Sequence, residues 1–389
     1  MSLVAEAQQL KPQLVQWRRH LHQFPELSFH EVETQQYLLD ALSAMGLSPK
    51  PIGKTGVAVD IGQGQGGVAI RADIDALPLQ EESEHPFRSQ RPGVMHACGH
   101  DGHTAILLGV AKLLSAQAET LPGRIRLMFQ PAEELMPGGA KLLIADGVLE
   151  DMDRVLGLHL ASDLPTGVVG TIVGPATANA DRFTIEIEGR GGHGSQPERT
   201  IDPIVAAAEL VLSLQSIVSR NISPRHSAVV TVGTLESGSN FNIIAPRARL
   251  TGTVRTFDAQ DRHLIEERMA ALVTHVSEAH GAEGRLDYIQ GYPSVINSRA
   301  ETELAEHVIT RILGANGLAH PEPLMAGEDF SYYLEELPGT FLNLGCGNPS
   351  VGATYPHHHP KFTLDEDALP IGVSILASLA LEFLMLGQS

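Results

Sequence analysis

The run Met95-His-Ala-Cys-Gly-His-Asp-Gly-His103 gathers three imidazoles, a thiol and a carboxylate into one short stretch. Thiolate and imidazole are good ligands for Zn²⁺ and its neighbours in the transition series. Cys98 and His100 stand two apart, which suits a turn or extended segment relaxed by Gly99, not one helix face. Asp101 is expected to cap the helix that follows. A second cluster, Gln130-Pro-Ala-Glu-Glu-Leu135, ends an apolar run. Adjacent carboxylates in an extended loop point different ways, so one can hold a cation while the other faces a substrate. Asp73 and Asp75 end another strand-like run, His159 closes Val155-Leu-Gly-Leu-His159, and His357-His-His-Pro-Lys-Phe362 adds imidazoles far along the chain. This last run is internal, so it is no purification tag. A single histidine or a Glu-Glu pair means little alone; the convergence of several at strand ends points to a cation site.

The elements that must position these residues alternate from the start. Helices are expected near 4–23 and 30–46, then a strand at Gly56–Ile61, which Gly62–Gly67 is expected to turn as a hairpin into Val68–Arg71. A helix over Ala105–Leu114, a strand at Arg124–Phe129, a helix at Gly139–Ala145 and a strand at Arg154–Leu160 follow. Near-continuous apolar strands between helices imply an α/β fold, a mostly parallel sheet covered by helices. The middle of the chain changes character. Strand Phe183–Glu188, helix Asp202–Val218, strands Ala228–Thr234 and Ala248–Arg255, helix Asp261–His280 and strand Arg285–Gln290 follow the split βαβ order of a ferredoxin-like unit. The expected organisation is therefore one domain of residues 1–179 and 293–389, interrupted by an inserted domain at 180–292. The first domain resumes with helix Ala300–Leu313, strand Thr340–Leu344 and a C-terminal helix.

Composition narrows the partners. The 389 residues carry 27 Lys+Arg against 46 Asp+Glu, a net charge of −19, which argues against nucleic acid or an anionic membrane as partner. Two cysteines, Cys98 and Cys346, make no disulfide framework, so a reducing, cytoplasmic setting is expected. The apolar stretch Ala368–Gly387 contains Glu382 and is preceded by acidic residues, and it reads as a buried helix, not a membrane span. Gly62, Gly64 and Gly67 fit half of a dinucleotide fingerprint, but a strand and not a helix follows. Gly189, Gly191 and Gly194 fail because Ser195-Gln-Pro197 intervenes before the helix. A nicotinamide oxidoreductase is disfavoured on both counts.

Four segments together resemble one family: His96–His103, Pro131-Ala-Glu-Glu134, Gly327-Glu-Asp-Phe330 and His358-His-Pro-Lys-Phe362. They are similar to the signatures of the aminoacylase/carboxypeptidase type of metal-dependent amidohydrolases. The nearest branch is that of hippurate hydrolase, N-acyl-amino-acid amidohydrolase and the plant auxin-conjugate (indoleacetyl-amino-acid, IAA) hydrolases. The resemblance spans essentially the whole chain. It implies a zinc-exopeptidase-like catalytic domain with an inserted ferredoxin-like lid and dimerisation domain. It also implies metal ligands at Cys98, His100, Glu134, His159 and His358, and Glu133 as the catalytic acid/base. Five ligands exceed what one open catalytic zinc needs, so two divalent ions per subunit (Mn, Zn, Co or Ni) are expected, with Cys98 in a position to bridge them. Asp75 matches an aspartate that orients a ligand. His193 matches a lid histidine that stabilises the transition state, and Asn242 stands where relatives bind substrate polar groups. Many relatives carry His where Asp73 stands and a bridging Asp in place of the Cys-Gly-His segment.

What this implies is hydrolysis of the amide of a small N-acyl amino acid, with a dipeptidase or carboxypeptidase as the alternative. A homodimer or homotetramer through the lid is the expected assembly. A binding protein on a hydrolase scaffold would lack Glu133 or several ligands, and all are present. Cys346 is expected to be a buried small hydrophobe, Trp17 an anchor of the first helix, and His20, His22 and His30 surface or packing residues. Glu328 and Asp329 are expected to shape a loop.

Overall fold

Apolar β-branched runs build the central sheet. Gly67–Asp73 is buried along its whole length, as a strand covered on both faces must be. The computed structural model describes residues 2–64 and 66–386. It divides into two compact units: Met1–Ala176, Val295–Glu322 and Asp329–Ser389 form the first, and Thr177–Ser294 with Pro323–Glu328 form the second.

The first unit holds an eight-stranded sheet in the order Lys50–Ile52, Gly56–Ile61, Arg124–Gln130, Gly67–Asp73, Arg154–Pro165, Gly339–Gly347, Val169–Gly170, Leu318–Ala319. Its four central strands are parallel. The expected hairpin is not formed. Arg124–Gln130 lies between Gly56–Ile61 and Gly67–Asp73, antiparallel to the first and parallel to the second. Gly62–Gly67 therefore carries the chain across an intervening strand (Gln65 of that turn lies outside the described residues).

Helix His100–Ser115 is buried almost throughout, and the C-terminal helix Ala368–Leu386 packs against it. A Cβ on Gly109 would come within 2.5 Å of Val373 and 2.6 Å of Leu14, so the close approach of these helices needs glycine there. Ala368–Leu386 is long and apolar enough to cross a membrane, yet most of it is buried in the core; Gly387 lies outside the described residues. The expected first helix is two, Leu3–Gln9 and Lys11–Gln23, because Pro12 at the start of the second cannot continue the first. Trp17 packs in the core, and Cys346 is fully buried.

The second unit has a four-stranded antiparallel sheet in the order Ala228–Ser237, Arg247–Thr256, Asn179–Glu188, Glu283–Tyr292. Helices Pro203–Asn221 and Ala259–Ala279 connect these strands in ferredoxin-like order. Phe183, Ile185 and Ile187 alternate onto the face the helices cover. Asp202 caps the first helix as expected, accepting the Ile204 amide at 2.9 Å.

Candidate metal centre

The site is built at the carboxyl edge of the parallel strands, the usual place for one in an open α/β sheet. Asp73 ends its strand and Asp75 follows two residues on, while Glu133 and Glu134 follow the end of Arg124–Gln130. His159 is not at a strand end, because its strand runs on to Pro165. Pairing with the Gly67–Asp73 strand stops at Arg71↔Gly157, however, so His159 lies level with that neighbour's end. Asp101 is not the helix cap. The helix starts at His100 behind a left-handed Gly99, and Asp101 is buried in its first turn, bound to Arg18 Nε at 2.7 Å and His22 Nδ1 at 2.8 Å. His22 is correspondingly buried, while His30 is exposed.

Cys98, His100 and His159 offer three donor atoms within 4.8 Å of one another, and so do Cys98, Glu134 and His358. Cys98 Sγ lies 3.6 Å from His159 Nε2, and His358 Nε2 lies 3.2 Å from Glu134 Oε1. Two imidazoles are oriented by backbone carbonyls. His100 Nδ1 donates to Asp75 O at 2.8 Å and His159 Nδ1 to Leu160 O at 2.7 Å, which leaves each Nε2 to ligate. His100 Nε2 is buried with no hydrogen-bond partner among the described residues. Glu134 Oε1 is buried without a well-formed hydrogen bond too, close as His358 is. Buried polar atoms left this way are rare and need a reason. A divalent cation supplies one, and the thiol, imidazole and carboxylate donors fit it.

The electrostatics are those of a crowded acidic site, in which a bound cation would displace the protons of His100 and Cys98. Burial opposes charge on His100, but Asp73, Asp75 and Glu134 outweigh it and raise the imidazole to about 10. Burial holds His159 well below its usual range, in the neutral form that ligates. Burial raises the Cys98 thiol, with the carboxylates of Glu134, Glu133 and Asp73 adding to it.

A second layer fixes the first. Asp75 accepts the Glu133 amide at 3.1 Å, the Glu134 amide at 3.0 Å and Ser28 Oγ at 2.7 Å, and its Oδ1 lies 3.3 Å from His100 Nδ1. His103 Nδ1 donates to Asp73 at 2.6 Å, while its Nε2 accepts the Leu160 amide at 2.8 Å. Arg71 donates to Asp73 and to Asp329, each at 2.7 Å, and Gln130 also reaches Asp329. Asp329 thus anchors the centre's floor from 258 residues beyond Arg71, more than loop shaping. Ser28, Arg71, Gln130 and the supporting role of His103 were missed in the sequence. Only His103 had a visible signal, its place in the histidine cluster.

His193 and Asn242 lie in the second unit, both exposed. A two-residue ladder pairs His193 with Ile243, and the Gly194 amide donates to Asn242 O at 2.8 Å. His193 Nδ1 accepts the Ser195 amide at 3.2 Å, which leaves the proton on Nε2.

Donors of this kind at the carboxyl edge of a parallel sheet define a metal-dependent hydrolase of the exopeptidase type. The chain belongs to peptidase family M20/M25/M40, whose model matches residues 69–382. It is 44% identical over 363 residues to N-acetyl-L-cysteine deacetylase of Bacillus subtilis, covering 92% of this chain and 85% of that one. It is 40% identical over 374 residues to IAA-amino acid hydrolase ILR1-like 4 of Arabidopsis thaliana, covering 95% and 85%. The structure of Bacillus subtilis YXEP protein, a dinuclear metal binding peptidase from this family, matches with a TM-score of 0.84 and 37% identity over 97% of this chain and 99% of that one.

Proposed function

We propose that the protein hydrolyses the amide of small N-acyl amino acids at a centre of two divalent ions held by Cys98, His100, Glu134, His159 and His358. The observation that carries this is the sharing of Cys98 between two sets of three donor atoms. When bound, the ions lower the pKa of water and polarise the scissile carbonyl. Glu133, buried beside Glu134 with its amide fixed by Asp75, takes the proton of the attacking water. As the C–N bond breaks, it passes that proton to the leaving nitrogen, so acid, amine and the restored carboxylate balance. His193 is assigned the oxyanion, for which its Nε2–H is the available donor, and Asn242 beside it a substrate polar group. The mixed thiol, imidazole and carboxylate set suits Mn²⁺, Zn²⁺, Co²⁺ or Ni²⁺. The enzyme is read as a soluble cytoplasmic homodimer or homotetramer joined through the second unit. Val205 and Leu212, two turns apart on helix Pro203–Asn221, support that assembly at 52% and 74% exposed.

The test is a panel of acetyl-, benzoyl- and indoleacetyl-amino acids beside free dipeptides, each with the four metals in turn. N-acyl amino acids should be cleaved well and free dipeptides poorly. The reverse ranking would make the protein a dipeptidase or carboxypeptidase, the second reading, which the family's peptidase members favour.

A further inference from the structure

Glu31 is a fully buried carboxylate with no part in the proposed chemistry. It precedes helix Val32–Ala44, whose first turn fixes its backbone through the Gln35 amide on Glu31 O at 2.9 Å. One carboxylate oxygen accepts Thr55 Oγ1 at 2.6 Å and the other the Ala132 amide at 2.9 Å. No cation pairs with it among the described residues. Burying an ionisable carboxyl without one is costly, and such costs persist where the surroundings require them.

The unusual group among its partners is Ala132. It is fully buried, is not glycine, and has a φ of 53°. A left-handed conformation crowds the Cβ of an L-residue against the following carbonyl oxygen and is disfavoured. Ala132 is also the residue immediately before Glu133 and Glu134. The three amides of 132, 133 and 134 are all taken by buried carboxylates, the first by Glu31 and the next two by Asp75. Gly139 N closes the other side on Ala132 O at 3.0 Å. Were Ala132 to relax to negative φ, its amide would rotate away from Glu31. The two glutamates that follow would then be re-aimed together.

We infer that Glu31 is a positioning residue, whose carboxylate pins the Ala132 amide in the left-handed turn that sends Glu133 and Glu134 in different directions. Ser28, in the same segment, reaches Asp75, so residues 28–31 brace both carboxylates that hold the turn. The inference rests on the catalytic roles proposed for Glu133 and Glu134, but the geometry it describes does not.

The experiment is a double-mutant cycle on the full chain. Glu31→Ala should lower kcat about tenfold or more with KM little changed, since misaimed general acid–base catalysis is lost and not substrate affinity. Glycine adopts positive φ freely, so adding Ala132→Gly to Glu31→Ala should recover most of the loss. Glu31→Gln keeps an acceptor for the amide and should stay within a few fold of wild type. If Glu31→Ala does not fold, Glu31→Asp, too short to reach Ala132, takes its place in the cycle. A purely structural Glu31 would lower thermal stability and leave kcat per folded, metal-loaded chain unchanged, with no recovery from Ala132→Gly. That result overturns the inference. Hydrogen exchange of the peptide over 131–135, measured without metal or substrate, gives a second readout. The Ala132 amide should be protected in wild type and exposed in Glu31→Ala, and equal exchange would also overturn it. A wild type that cleaves no amide would sink the proposed function while the exchange result still decides the clamp.

Discussion

The two units hold their candidate residues in opposite ways. In the first, four of the six proposed ligands and proton carriers lean on a buried partner: His100 on Asp75, His159 on Leu160, and the Glu133 and Glu134 amides on Asp75, while His358 is the exposed exception. In the second, His193 and Asn242 are exposed and held by a two-residue ladder among glycines. Buried, hydrogen-bonded side chains are preorganised, and metal and proton chemistry needs them within a fraction of an ångström. Exposed loop residues are cheap to move and suit contacts made only after a substrate arrives. Substitutions in the first unit should therefore abolish function through the metal or the proton, and those in the second should lower rate alone.

The largest effect is expected at Cys98. Protein purified without chelator should approach two equivalents of metal per chain by elemental analysis, and Cys98→Ala should lose metal and nearly all activity, because both donor sets share that sulfur. Full metal content in that variant would break the shared-ligand reading. Next comes the glutamate pair. Glu133→Gln should keep metal and substrate binding while kcat falls about 10²–10⁴-fold. Glu134→Gln should instead weaken metal retention. Identical behaviour of the two would erase the division of labour between neighbours.

Part of the candidate centre was legible in the sequence, since Asp73, Glu133 and Glu134 sit where apolar strand runs stop, whereas His159 lies inside a longer strand. What was not legible depends on partners distant in the chain. The Gly62–Gly67 turn looked like a hairpin because nothing local announces that Arg124–Gln130 will insert between its strands. Asp101 had the local marks of a cap, but Arg18 and His22, 83 and 79 residues earlier, draw it into a buried ion cluster. Glu31 gave no signal at all, its partner Ala132 lying 101 residues on. In the second unit, alternation in Phe183–Glu188 and the Asp202-Pro203 start were enough to read the topology, because ferredoxin-like order is written in local periods.

The second unit supplies the third prediction. His193→Ala should lower kcat by about 10²-fold, the usual cost of removing one oxyanion donor, with metal content unchanged. Loss of metal in this variant would contradict the contrast drawn between the units. A rate within twofold of wild type would remove His193 from the reaction.

The smallest effect concerns stability, and it tests how buried the first unit's support is. Burial raises the Glu31 carboxyl from 4.5 to about 7, with the nearby Asp75 charge adding to the push. Its folded pKa therefore exceeds its unfolded one, and between those values the folded state binds more protons. The stability this provides is full below about pH 4.5 and is lost as pH rises through about 7. Glu31→Gln has no such proton to lose. In chelator-treated protein, the stability of the variant relative to wild type should rise between pH 5 and pH 8 by up to roughly 3 kcal/mol. Denaturant midpoints at several pH values measure it directly. Parallel profiles for the two proteins would mean that Glu31 is hydrated in solution and that its neighbourhood is looser than the buried contacts to Thr55 and Ala132 require.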